Sequence, residues 1–217
     1  MEKPYIDFVC ELMVEQEVGK PIYISRISEY MVEAYQIPHK KAAGAVSVAC
    51  KRIMDKGLIP ELRFYQKGIY YRVVATPFGE TGIDKEQLIA DKYLVNDMGY
   101  ETGLTVLHRM GLTSQMPRER VVASNRASDC ARLDAKLGVV VRPPKVEINA
   151  ENKQYLMLLD VLDILADAPV DVPNPYAVIG GYIERLQLEY QKLLGLANNY
   201  YNRNTIIQLA HVAGGGL

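Results

Sequence analysis

Apolar residues near the start of the chain recur at two spacings in turn, first helical and then alternating. Ile6, Val9, Cys10 and Met13 share one face while Asp7, Glu11 and Glu15 fall on another, so Pro4 to Glu17 reads as an amphipathic helix. Gly19-Lys20-Pro21 stops it, and Ile22-Tyr23-Ile24 is a short strand-like piece. Ser25 is a suitable N-cap for a second helix with Ile27, Tyr30, Met31 and Ala34 as its inward stripe. Gln36-Ile37-Pro38 is a turn, and Pro38 suits the first position of a third helix, where a missing N–H costs nothing. Ala42, Val46, Ala49, Cys50, Ile53 and Met54 form the stripe of that helix, and Lys56-Gly57 closes it. Leu58 to Tyr65 and Ile69 to Val74 then read as two strands joined at Gln66-Lys67-Gly68. Helix, strand, helix, helix and hairpin in this order describe a winged helix-turn-helix.

The pattern changes at Ala75 to Asp84, where ATPFGETGID concentrates Pro and Gly and periodicity lapses. Residues 1–75 are therefore expected as one domain, 76–84 as a linker and 85–217 as a second domain. Asp84 can cap a helix over Lys85 to Met98, and a shorter helix is expected near Thr102 to Met110, ending at Gly111. Arg120 to Asn125 and Leu137 to Arg142 are strand candidates. Beyond Asn149, Tyr155, Leu158, Leu159, Leu162 and Leu165 repeat at helical spacing, as do Ile179, Ile183, Leu186, Tyr190, Leu193 and Leu194. Tyr200 to Val212 is a last amphipathic piece, with Gly214-Gly215-Gly216 expected as a frayed end. The fold class expected is α+β: a winged helix-turn-helix followed by an α+β domain with a helical C-terminal half.

Composition narrows the function classes. Hydrophobic residues make up 49% and charged ones 24% of 217 residues, enough apolar material for packed cores. There is no run of about 18 apolar residues, and the acidic stretch after Met1-Glu2-Lys3 is unlike a signal peptide, so a cytoplasmic protein without membrane contact is expected. Cys10, Cys50 and Cys130 are far apart, and the histidines are only His39, His108 and His211; neither a disulfide, a metal site nor a cofactor is expected.

Charge is informative once it is divided along the chain. The whole carries a net charge of −1, but Ile37 to Arg72 sets eight cations against Asp55 and Glu61, a local net of +6. Met1 to Tyr35 sets three cations against seven carboxylates, a net of −4. Positive charge gathered on one helix and the hairpin behind it is the footprint of phosphate binding. A recognition helix offers its N-terminal residues to base edges in the major groove. His39, Lys40, Lys41, Gly44 and Ser47 are the candidates for groove contacts; Lys51 and Arg52 suit phosphates or pairing with nearby acids, and Arg63, Lys67 and Arg72 of the hairpin suit the DNA backbone or minor groove. In the second domain Thr102, His108, Ser114 and Gln115 invite an active-site reading. His108 has no carboxylate partner by spacing and Ser114 lacks a Gly-x-Ser-x-Gly context, so no enzyme is expected.

Several blocks occur together: Thr76-Pro77-Phe78-Gly79, Gly99-Tyr100-Glu101-Thr102-Gly103, Gly111-Leu112-Thr113-Ser114-Gln115-Met116-Pro117, Val122-Ala123-Ser124-Asn125 and Leu196-Ala197-Asn198-Asn199-Tyr200. Behind a winged helix, this order resembles the AbiE-type abortive-infection antitoxins of type IV toxin–antitoxin systems. The resemblance runs from Ile22 to about Leu209 and is most specific in the Gly99 to Pro117 block. It implies an autorepressor that binds inverted repeats in double-stranded DNA at its own promoter. It further implies a functional partner, a nucleotidyltransferase-like toxin countered without a stable complex. Two other readings remain open: a winged-helix transcription factor whose second domain senses a ligand or dimerises, and a protein-interaction module that does not bind DNA.

Overall fold

The structure, a computed structural model, describes residues 4–215. Met1-Glu2-Lys3 and Gly216, on which expectations were placed above, lie outside the described residues. The chain forms two compact units, Met1–Leu88 and Ile89–Leu217, and the fold is α+β with a helical C-terminal half.

In the first unit, helices α1 (Tyr5–Glu15), α2 (Ile24–Tyr35) and α3 (His39–Lys56) enclose Val9, Met13, Ile27, Met31, Ala42, Val46, Cys50 and Ile53. Full burial of a Val, Ile or Met side chain stabilises by about 1.5–3 kcal/mol, so this stripe is what holds the bundle. Strands β1 (Ile22–Tyr23), β2 (Leu62–Gln66) and β3 (Ile69–Arg72) form an antiparallel sheet of order β1-β3-β2. Gly57 ends α3 in the left-handed region (φ 61°), and its N–H returns to the carbonyls of Ile53 and Met54. Three local expectations give way. Helix α2 starts at Ile24 rather than after a Ser25 cap, because Ile24 N–H is taken by the Gly68 carbonyl (3.0 Å). Tyr30 points outward at 53% exposure, and Ser28 takes the inward place by donating to the Ile24 carbonyl (2.7 Å). Ala34 and Met54 also lie outside the core.

The expected linker is structured. Strands β4 (Ala75–Thr76) and β5 (Gly79–Glu80) make a small hairpin, closed by Thr76 Oγ1 donating to the Gly79 carbonyl (2.6 Å). Asp84 N–H donates to the Gly19 carbonyl (2.8 Å), and Lys20 Nζ lies 2.8 Å from the Asp84 carboxylate. Pro and Gly broke the periodicity here because they build a turn, not because the segment is slack.

Helix α4 (Lys85–Ile89) is capped by Asp84, whose carboxylate accepts from Gln87 N–H (3.0 Å). The helix expected to reach Met98 instead passes into a π-helical turn, Ala90–Leu94, and a 3₁₀ turn, Val95–Asp97, with Asn96 at φ 54°.

The second unit has a four-stranded sheet made from β6 (Gly99–Thr102), β7 (Arg120–Ser124), β8 (Arg132–Asp134) and β9 (Val139–Arg142). Their order is β6-β7-β9-β8, with β7 and β9 parallel. Gly99 is dictated by close packing: a Cβ there would lie 2.0 Å from the Tyr93 carbonyl oxygen. Helix α5 (Leu104–Arg109) follows β6, so only the later part of the helix expected over Thr102 to Met110 is helical. Helix α6 (Lys153–Ile164) buries Tyr155, Leu156, Leu158, Leu159, Val161 and Leu162, too wide a set for one stripe, and is the central helix of this unit. Around it stand α7 (Pro175–Arg185), α8 (Tyr190–Tyr200) and α9 (Arg203–Ala213). Asn174 and Asn202 cap α7 and α9 by accepting from Ala177 N–H and Thr205 N–H, each at 3.0 Å. The periodic run from Ile179 to Leu194 is two helices, broken where Gln187 turns to φ 53°.

Candidate nucleic-acid interface

Helix α3 is amphipathic by necessity, since Ala42, Val46, Ala49, Cys50 and Ile53 must face α1 and α2. That turns His39, Lys40, Lys41, Gly44, Ser47, Lys51 and Arg52 outward, and all seven are exposed. The core beneath is apolar enough that burial pushes the Cys50 thiol up to about 12. Pro38 provides the N-cap without any side-chain hydrogen bond, and the first turn carries no acid. Lys40 and Lys41 in that turn oppose the helix dipole, which favours negative charge at this end by about 0.3–1 kcal/mol per group. Among the described residues, Lys40, Lys41, Lys51, Arg52 and Lys67 form no ion pair with a carboxylate, although Glu29 of α2 lines the same groove as Lys40 and Lys67.

The tertiary structure sorts these residues into two grooves. One lies between the starts of α2 and α3 and the β2–β3 turn, and it brings His39 and Lys40 together with Lys67 and Gly68. Pairing of Ile24 N–H with the Gly68 carbonyl holds the turn against α2 and so fixes where Lys67 is presented. The other groove lies between α1 and α3, with Lys41, Gly44, Val48 and Arg52 along it and Tyr5 and Ile6 opposite. Lys40 and its neighbours form the crest between the grooves, for Lys40 lines both. Lys51 stands on the exposed face; Ser47 does too, but its hydroxyl donates to the Ala43 carbonyl of its own helix (2.8 Å) and keeps only acceptor capacity outward.

Gly44 is unusual within this helix. A Cβ added there meets no atom within 4 Å, so no packing contact in the protein demands glycine. Glycine inside a helix costs about 1 kcal/mol relative to alanine. A small residue at an exposed site of this kind leaves room for another surface to approach the backbone.

Arg63, expected as a wing contact, is engaged within the protein. Its guanidinium forms a forked pair with Glu80, Nε at 3.0 Å, and also donates to the Pro60 (2.7 Å) and Leu62 (2.9 Å) carbonyls. That pairing holds the Glu80 carboxyl below the usual carboxylate range. Arg72 is likewise internal: it donates to Glu61 (2.9 Å) and to the Gln16 carbonyl (2.8 Å). The two arginines staple β2 and β3 to their surroundings, and only Lys67 of the hairpin cations expected to touch DNA faces outward unpaired. Sequence reading gave no groove role to Ser25, Glu29 or Gly68, which also line the first groove. No local signal marks them, because their place there depends on β1 pairing with β3.

In the second unit Thr102 and Ser114, two of the residues that invited an active-site reading, are tied to carboxylates of the same unit. Ser114 Oγ and N–H both donate to Asp171 (2.5 and 2.7 Å), which holds that carboxyl below its ordinary range. Thr102 Oγ1 donates to Asp160 (3.1 Å), while His108 is exposed. Asp160 is the centre of a buried network, accepting from Tyr100 (2.8 Å) and Tyr201 (2.9 Å) and pairing with Arg142. Burial, and then the negative charge of Asp160, drive both phenols far above their ordinary range, so they remain protonated donors.

No protein-family model and no curated protein matches this chain. Among solved structures, the chain is similar to the RV2827C protein from Mycobacterium tuberculosis, with 13% sequence identity and a TM-score of 0.47 over all of this chain and 78% of that one. No helix of the described residues is long and apolar enough to cross a membrane.

Proposed function

We propose that the first unit is a winged helix-turn-helix that binds double-stranded DNA, with α3 in the major groove and the β2–β3 turn on the adjacent backbone. The observation that carries this reading is the set of unpaired cations at the uncapped start of α3, placed beside Lys67 of the wing. The order α1-β1-α2-α3-β2-β3 and the bare Gly44 surface support it. DNA as a polyanion supplies the negative charge that the helix start and its two lysines lack. In this reading His39, Lys40, Lys41, Gly44 and Ser47 face bases, and Lys51, Arg52 and Lys67 face phosphates.

The resemblance in the Gly99 to Pro117 block extends the proposal to a cytoplasmic autorepressor and antitoxin of a type IV toxin–antitoxin pair. The first unit binds repeats at its own promoter, and the second counters a nucleotidyltransferase-like toxin. The test is fluorescence anisotropy with the DNA upstream of the gene, a scrambled duplex and a salt series. Selective binding with a steep salt dependence is expected. Absence of binding at low salt would refute the DNA reading and leave the basic face as a protein-docking surface. Co-expression of the chain with the product of the adjacent gene tests the antitoxin role, with rescue of growth as the expected outcome.

A further inference from the structure

The geometry points to a phosphate-binding cleft in the second unit, at the outer edge of its sheet and independent of the DNA-binding reading. Arg126 and Ser128 of the β7–β8 turn, together with Arg132 and Leu133 of β8, line a concavity floored by Tyr93 and Val141. Its single carboxylate, Asp134, is already answered: it accepts from Lys92 Nζ (2.8 Å), Tyr93 Oη (2.9 Å) and Leu137 N–H (3.3 Å). Burial would raise its pKa, but Lys92 and the Tyr93 hydroxyl outweigh that and hold it below the usual range, so it stays ionised and paired. Asp129, the next acid along the turn, does not line the cleft.

The field in the cleft is therefore set by two guanidinium groups. Arg126 is oriented by one bond, from Nη1 to the Lys92 carbonyl (2.8 Å), which leaves its other donors for a ligand. Arg132 forms no ion pair among the described residues, and pairing of Arg132 with Val141 across β8 and β9 fixes its backbone beside the cleft. Ser128 Oγ makes only a long bond, 3.4 Å to the Cys130 carbonyl, which a phosphate oxygen can replace. A planar guanidinium meets two phosphate oxygens at once, and such charge-assisted contacts are about twice as strong as neutral ones. Leu133 is 58% exposed and gives the cleft an apolar wall next to this anion site. The ligand class that suits cations on one side and an apolar wall on the other is a phosphate monoester with an organic body. Free nucleotides and the phosphorylated end of an RNA share that chemistry.

Titration calorimetry on the full chain without DNA tests this, with inorganic phosphate, adenosine 5′-monophosphate, adenosine and a short 5′-phosphorylated RNA as probes. Saturable binding of phosphate and of the monophosphate is expected, the monophosphate the tighter, with adenosine inert. Whichever of monophosphate and RNA binds more tightly identifies the source of the ligand. Arg132→Ala, a substitution at an exposed residue, should weaken the monophosphate roughly tenfold, as loss of one charge-assisted contact requires, with the melting temperature unchanged. Arg126→Ala should weaken it as much, and a melting curve shows whether loss of the Lys92 contact also disturbs the turn. No saturable binding of either phosphate or monophosphate would overturn the proposal. So would adenosine binding as tightly as its monophosphate, or Arg132→Ala binding like the parent protein.

Discussion

On α3 the cations Lys40, Lys41, Lys51 and Arg52 stand exposed and form no ion pair among the described residues, whereas the buried charges of the second unit are paired within the fold. Asp160 is 2% exposed and takes hydrogen bonds from Tyr100, Thr102, Arg142 and Tyr201. Glu101, 7% exposed, lies between Arg109 and Arg120. An ion taken out of water must find its partners within the fold or cost several kcal/mol, so internal pairing is a condition of folding there. Exposed charge is under no such condition. Where it accumulates with one sign at the end of a helix that disfavours it, water and counterions compensate it, and on the proposal made above DNA takes their place.

Removing the centre of the buried network should have the largest effect. Asp160→Asn leaves Arg142 facing two phenols and a neutral amide, and should cost about 3–5 kcal/mol of second-unit stability in a denaturant titration. DNA affinity at a temperature where the variant is folded should not change; a parallel loss of both would erase the contrast between the units. Next comes Lys51→Ala with Arg52→Ala, the two residues of α3 assigned to phosphates. Loss of two phosphate contacts lowers the slope of log affinity against log salt by about 1.8, with the melting temperature held. An unchanged slope would mean that these charges answer to something other than DNA.

Gly44→Ala sharpens the comparison because its two effects have opposite signs. Stability should rise by about 1 kcal/mol, since the added methyl meets open space, while DNA binding weakens. A variant both more stable and equally tight would show that nothing approaches that part of α3. Arg63→Ala should matter less still: below about 1 kcal/mol for a partly exposed pair, with the salt slope of the parent. Smallest is a labelling experiment that leaves the fold untouched. A maleimide followed by mass spectrometry should mark exposed Cys130 in the native protein and leave Cys50, buried with a raised pKa, unmarked until denaturant is added.

Periodicity revealed the helices wherever one face alone was apolar. The stripe Ala42, Val46, Ala49, Cys50 and Ile53 and the cap at Gly57 are readable in one dimension, as is the basic face opposite them. It misjudged residues whose burial depends on a neighbour: Tyr30 and Met54 follow the helical period yet lie outside the core. Strands β6 and β8 went unread because Gly99-Tyr100-Glu101-Thr102 is buried at every position and β8 is only three residues long, so neither alternates.

From the order of residues alone came the α+β class, the helical C-terminal half and the segregation of charge between the opening helices and α3. Those follow from local spacing and from counting, and neither requires knowing what touches what. Which cations stay free was decided only in three dimensions. Arg63 and Lys67 are alike in sequence, four residues apart on one hairpin, but Glu80 folds back onto the first and nothing reaches the second. An ion pair between distant positions depends on the path of the backbone, which no local pattern encodes; the same holds for Asp160, whose partners come from β6, β9 and the end of α8.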